Sequence, residues 1–227
     1  MSRELDNRKL RGVRLCSGHC VREMMAGKAI IVMGTSGAGK STVGRLLAAE
    51  LRCEFLDADN FHSAQNKEKM SRGVALTDED RMPWLETLRD TLIDYIIRGQ
   101  CVVLACSALQ PHYRDLLRTA DYEFLLNETT PEPVSTPTSN DINHQHRRQG
   151  KSLSSLVVFV YLKATVGVLS ARLAVRDIAG THYAHASLLQ SQIDALQFEA
   201  DERDIMDVDA ALPPAQIVRN IQKQLQV

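Results

Sequence analysis

The sequence predicts an α/β protein: one parallel sheet of five strands with helices packed on both faces. Three observations carry that expectation. Short continuous apolar runs, AIIVM, CVVLA and LVVFVYL among them, read as strands buried on both sides. Segments with apolar residues three and four apart alternate with these runs, the pattern of strand, crossover helix, strand. The chain of 227 residues, 44% hydrophobic and 24% charged, holds enough apolar material for one sizeable core. In such a sheet the crossovers are right-handed, and ligands collect beyond the carboxyl ends of the strands.

The first strand, 29–33, runs into a glycine-rich turn and then a helix over 41–51, with Val43, Leu46, Leu47 and Leu51 at helical spacing. A second strand covers 53–59, and SAQNKEKM after it reads as a short polar surface helix. Thr77, with Asp80 three residues on, has the form of a helix N-terminal cap. The helix it opens places Trp84, Leu85, Leu88, Leu92 and Ile96 on one face, and Gly99 would end it. Trp84, the only tryptophan, is either core or pocket lining. A third strand within CVVLACSAL precedes a helix that opens at Pro111. From about 123 to 155 the periodicity fails in a run rich in Pro, Ser, Thr and Asn, read as a flexible surface insertion. After it come strand 156–162, helix 166–176, an irregular stretch at about 177–187 expected to act as a mobile lid, helix 188–197, strand 204–210 and a closing helix 213–225.

Residues 29–227 thus form one domain. The first 28 carry seven basic residues against three acids with no sustained periodicity, and read as a disordered or targeting extension. Lys plus Arg (27) nearly balances Asp plus Glu (28), so no excess charge draws the chain to nucleic acid or to an anionic membrane. No apolar run approaches the roughly 18 residues of a membrane span. The expected setting is the cytoplasm, with organelle targeting by the extension left open. Cys16, Cys20, Cys53, Cys101 and Cys106 are an odd set whose last three fall in or beside strands, which suits a reducing compartment. Cys16 and Cys20 lack the second pair a structural zinc site requires.

The glycine turn carries the chemistry. GTSGAGKS, Gly34 to Ser41, fits GxxxxGK[ST] and has a strand before it and a helix after it. The P-loop so defined (Gly34, Thr35, Ser36, Gly37, Ala38, Gly39, Lys40, Ser41, with Thr42 following) turns backbone N–H groups onto phosphate oxygens. Lys40 reaches the outer phosphates and Ser41 sets its hydroxyl on Mg²⁺. A switch GTPase would also need an NKxD segment, which is absent, and its DxxG near the second strand; the only DxxG begins at Asp177. A small-molecule kinase needs instead an acid at the acceptor hydroxyl, cations for an anionic acceptor and a lid. Asp57 and Asp59, at the end of the second strand, supply two acids: one to support Mg²⁺ through water, the other to accept the acceptor's proton.

MGTSGAGKST, FLDADNFH, NKEKM, LTDEDRMPWL, VVLACSAL and HYRDLLR occur here in one order. By these motifs the chain resembles the gluconokinase family, P-loop kinases related to shikimate and adenylate kinases, from Ile30 to the C-terminus apart from the insertion. The resemblance implies a three-layer α/β/α fold with a small lid, and transfer of the ATP γ-phosphate to the 6-hydroxyl of D-gluconate. It implies that Asp59 faces the reactive hydroxyl, that Asp57 joins Ser41 at the metal, and that His62, Arg81 and Arg114 bind substrate. The neighbourhood of Ser107 would touch phosphates or substrate, and Arg172 and Arg176, four apart on one helical face, would meet the nucleotide. Three features depart from the family: Gln110 stands where a Lys usually follows CSAL, the lid reads GTHYAHA, and the insertion carries His144, His146, Arg147 and Arg148. A kinase of another small acceptor, such as shikimate or a nucleoside monophosphate, or a degenerate ATP-binding module, are the alternatives. Gluconokinases are often dimers, and a homodimer stays open.

Overall fold

A computed structural model describes residues 25–128, 156–179, 189–200, 202 and 204–227. The side chains of 121–128 and 176–179 lie outside that description. So do the N-terminal extension through residue 24, most of the proposed insertion and residues 180–187 of the proposed lid.

Strand β1 (Ala29–Met33) lies at the centre of a five-stranded parallel sheet of order β2-β3-β1-β4-β5. The others are β2 (Glu54–Asp57), β3 (Val102–Ala105), β4 (Val157–Lys163) and β5 (Ile205–Asp209). All five residues of β1 are fully buried, as a strand covered on both faces requires. Its side chains alternate: Ile30 and Val32 join one core, Ala29, Ile31 and Met33 the other. The register sets Ala29 against both Val102 and Val157, so β3 and β4 flank β1 at the same level.

Helix α1 (Lys40–Leu51) and the closing helix α7 (Pro214–Leu225) cover one face, through Val43, Leu47, Leu51, Ile217, Val218 and Ile221. Leu46, expected among the buried positions, is instead 42% exposed: it belongs to the next row of the helix, outside the sheet-facing stripe. On the opposite face lie α3 (Asp78–Ile97) and α4 (Pro111–Glu128), with Leu85, Leu88, Leu92, Tyr113 and Leu117 inward. The capping box at Thr77 forms in both directions, and Gly99 adopts the left-handed conformation just beyond the last turn of α3. Helix α4 runs to Glu128, so 123–128, the start of the stretch read as an insertion, is helical. The remaining helices are α2 (Ala64–Ser71), α5 (Val166–Ala179) and α6 (Leu189–Ala195). Among the described residues no helix is long and apolar enough to cross a membrane.

Candidate active site

The loop between β1 and α1 lies at the carboxyl edge of the sheet. Gly37 has φ +83°, and a Cβ there would meet the Leu169 carbonyl at 3.0 Å and Leu173 Cγ at 3.3 Å; glycine lets the loop pass under α5. Gly39 caps α1 at φ +98°, with no side chain bonding to the helix end and no acid in its first turn. The first N–H groups of α1 and its dipole are thereby left for an anion. Gly34 and Ser107 are joined by Gly34 N–H donating to the Ser107 carbonyl at 3.3 Å, which ties the loop to the end of β3. Within the loop Ala38 N–H donates to the buried Thr35 at 3.2 Å, and Lys40 Nζ folds back onto the Thr35 carbonyl at 3.1 Å. Thr42 stands at the rim of an apolar hollow of about 490 Å³ that runs from Gly37 along α5 (Val175) to Leu212, Pro214 and Ile217.

Across the loop Ser41 Oγ donates to Asp57 Oδ2 at 2.7 Å. The hydroxyl and the acid expected at the metal are therefore brought together. The second strand ends at Asp57, two residues short of its expected end, and a 3₁₀ turn, Ala58–Phe61, follows. Asp57 is the cause: its Oδ1 accepts from Asp59 N–H at 3.3 Å, a local side-chain cap that replaces the strand ladder. Asp59 is thereby set exposed in the first turn of the 3₁₀ segment.

That turn rests on Trp84. The indole Nε1 donates to the Ala58 carbonyl at 2.8 Å, and the ring stacks on His62 at 4.2 Å between centroids. Trp84 is thus both core, at 5% exposure, and the support of the acid turn. His62 is buried with no partner for Nδ1, and its pKa falls to about 4, through burial first and then the charges of Arg81 and Lys67. It is neutral at physiological pH, with an unused polar atom inside the site.

Arg81 is half-buried; its Nε donates to the Leu76 carbonyl at 3.2 Å and its guanidinium lies 5.8 Å from the Tyr113 ring centre. Tyr113 in turn donates its hydroxyl to Asp78. Asp78, Glu79 and Asp80 in the first turn of α3 offset the helix dipole that would otherwise disfavour a cation there. Burial pushes the Cys106 thiol up to about 12, and after a lowering hydrogen bond from Ala108 the same thiol feels Asp59, Lys40 and Arg81.

Arg114 departs from the expectation of a substrate arginine. Its side chain is fully buried, with Nε on Glu202 Oε1 at 2.7 Å, a second bond to Glu202 Oε2, and bonds to the Ala108 carbonyl at 2.9 Å and the Gln197 carbonyl at 2.7 Å. Its contacts are internal because four donors are already committed. Burial would raise the Glu202 pKa, yet the bonds from Arg114, the Glu199 N–H and Arg118 hold it at about 2. What Arg114 supports is the turn at Ala108, a non-glycine residue at φ +43° next to Ser107.

Arg172 braces the loop from behind: its guanidinium donates to the carbonyls of Gly37 at 3.4 Å, Ala38 at 3.3 Å and Ala210 at 2.8 Å. Arg176 lies one turn further along α5, its side chain outside the described residues. Gln192 of α6 escapes sequence reasoning altogether: its Oε1 accepts from Ser36 N–H at 2.6 Å. A lone amide on a short helix 156 residues away carries no local motif that would announce it.

A phosphate loop facing a carboxylate turn at the edge of a doubly covered parallel sheet defines a P-loop kinase. The pattern of the shikimate kinase family matches residues 36–135. The chain belongs to the gluconokinase family: it is 41% identical over 197 residues to a gluconokinase of Arabidopsis thaliana, covering 87% of this chain and 92% of that one. The thermosensitive gluconokinase of Escherichia coli (strain K12) is 35% identical, covering 82% of this chain and 80% of that one. A crystal structure of a gluconokinase from Sinorhizobium meliloti 1021 matches with a TM-score of 0.65 at 32% identity, covering 88% of this chain and 92% of the other. The fold extends to an APS kinase of Mycobacterium tuberculosis, at a TM-score of 0.54 and 16% identity, over 89% of this chain and 99% of that one.

Proposed function

We propose that this chain transfers the γ-phosphate of ATP to the 6-hydroxyl of D-gluconate, giving ADP and 6-phospho-D-gluconate. The observation that carries the reading is the 2.7 Å bond from Ser41 to Asp57, which joins the phosphate loop to the turn bearing Asp59. The uncapped N-terminus of α1 and the loop's N–H groups hold the phosphates, and Lys40 swings from the Thr35 carbonyl to the outermost one. The apolar hollow beside Thr42 takes the flat base. A magnesium ion held by Ser41, with Asp57 behind it, would offset the charge on the bridging phosphate oxygens.

Asp59 accepts the proton of the attacking hydroxyl, a general-base role worth roughly 10²- to 10⁴-fold in rate. Arg81 clasps the acceptor's carboxylate with two parallel hydrogen bonds, and the unpartnered Nδ1 of His62 bonds to one of its hydroxyls. Ser107 and Ala108 form the floor between donor and acceptor. Arg114 is then a positioning residue acting through Ala108, and Arg172 keeps the loop in shape.

The test incubates the purified full chain with ATP, Mg²⁺ and gluconate. ADP and 6-phosphogluconate are expected in equal amounts, and none with Lys40→Met. Turnover with shikimate or a nucleoside monophosphate but not gluconate would reassign the acceptor. ATP binding without transfer to any of these would leave only a nucleotide-binding module.

A further inference from the structure

At the opposite end of the sheet from the phosphate loop, Cys53 and Cys101 stand side by side. The register pairs Glu54 with Val102, so the two cysteines immediately precede partnered positions on neighbouring parallel strands. Neighbouring strands lie about 4.8 Å apart, within the roughly 4.4–6.8 Å that a disulfide spans between Cα atoms. Both thiols are unbridged and partly exposed. Both line a recess of about 370 Å³ with Arg52, Glu54, Tyr95 and Gln100, so a small reagent can reach them. We propose that Cys53 and Cys101 are a paired-thiol modification site, which a hydroperoxide converts to an intramolecular disulfide and a dithiol reductant restores.

The chemistry divides between the two. The hydrogen bond from Cys101 lowers the Cys53 pKa despite burial and Glu54, while the same bond, with burial, raises that of Cys101. Cys53 is therefore the attacking thiolate. It takes the terminal oxygen of ROOH, breaking the O–O bond, and with one proton yields ROH and a Cys53 sulfenic acid. The Cys101 sulfur then displaces hydroxide, which leaves as water with the Cys101 proton. Two thiols and one hydroperoxide become one disulfide, one alcohol and one water; two electrons pass from sulfur to oxygen. Cys106, fully buried with its pKa pushed up by burial, stays a thiol in the same protein.

The bond would close a loop that begins at the outermost strand β2 and contains Asp57, Asp59, His62 and Arg81, fastening β2 to the sheet. Cross-linking a loop of this length removes freedom from the unfolded chain, which for a domain of this size raises the melting temperature by about 5 °C or more.

The test treats the reduced full chain with one equivalent of hydrogen peroxide and maps disulfides in its tryptic digest. Expected is a link between peptides 53–67 and 99–114, assigned by fragmentation to Cys101 and not Cys106, and reversed by dithiothreitol. The oxidised chain melts about 5 °C or more above the reduced one. Cys53→Ser and Cys101→Ser each abolish both changes. Phenylarsine oxide, which bridges close thiol pairs, protects 53 and 101 together in the native chain but neither in these variants. A link between Cys16 and Cys20 alone, links between chains, or overoxidation of Cys53 with Cys101 still free would each overturn the proposal. So would failure of the arsenical to protect the pair.

Discussion

The two sides of the cleft are built of different materials. On the proposed function the donor side is chiefly backbone: one unbroken stretch, Gly34 to Thr42, that ends in the uncapped N–H groups of a helix and carries glycines that admit a close approach. On the same proposal the acceptor side is side chains: Asp59 from a 3₁₀ turn, His62 beyond it, Arg81 and Trp84 from α3, with Tyr113 of α4 behind them. A triphosphate presents much the same oxygens in any enzyme, and a backbone cradle serves it. An acceptor differs from family to family and must be met by groups that can be exchanged one at a time.

Five measurements break or sharpen that contrast. Lys40→Met removes the cation of the donor cradle; kcat should fall about a thousandfold, with the far-ultraviolet circular dichroism unchanged. Asp59→Asn should lower kcat about a hundredfold or more while leaving ATP affinity, read by calorimetry, within a few-fold. A large loss of ATP affinity would mean that this acid belongs to the donor side. Arg81→Lys keeps the charge but loses the fork, and should raise the KM for gluconate about tenfold with little change in that for ATP.

Trp84→Phe keeps the ring but removes the indole donor to the Ala58 carbonyl. It should cost about 1 kcal/mol in urea unfolding and lower kcat several-fold as the Asp59 turn loosens. The fifth measurement is pH dependence at His62. Its folded pKa, about 4, lies below the ordinary 6.5, so the unfolded chain takes up a proton that the folded one refuses. This contribution to stability is fully present above pH 6.5 and is lost as pH falls toward 4. Melts across that window should show the slope in the parent and a shallower one in His62→Gln.

The same contrast decides how much could be read from sequence. The donor side is one contiguous motif, and its strand, turn and helix are legible because every partner lies within a few residues. The capping box at Thr77 is legible for the same reason. Asp57 and Asp59 announce an acid pair, but the change from strand to 3₁₀ turn is a contest between a side-chain cap and a ladder bond that residue types alone leave undecided. The composition of 123–155 reads as one irregular stretch, yet helix α4 continues to Glu128, since a mean taken over a long window blurs its boundary. Arg114 sits in a motif that suggests substrate, whereas its partners are Glu202 and carbonyls that only the folded chain assembles. Gln192 meets Ser36 by the same kind of distant coincidence.

That buried guanidinium has a consequence for how the protein is made. Arg114 emerges from the ribosome 88 residues ahead of Glu202, the carboxylate that neutralises it. At roughly 5–20 residues per second the wait is about 4–18 s. During this interval closing the third crossover would bury a cation with no counter-ion, which is strongly unfavourable. The nascent chain must therefore keep this part of its interior open until most of its length has been translated, and it is in those seconds that a chaperone has something to hold.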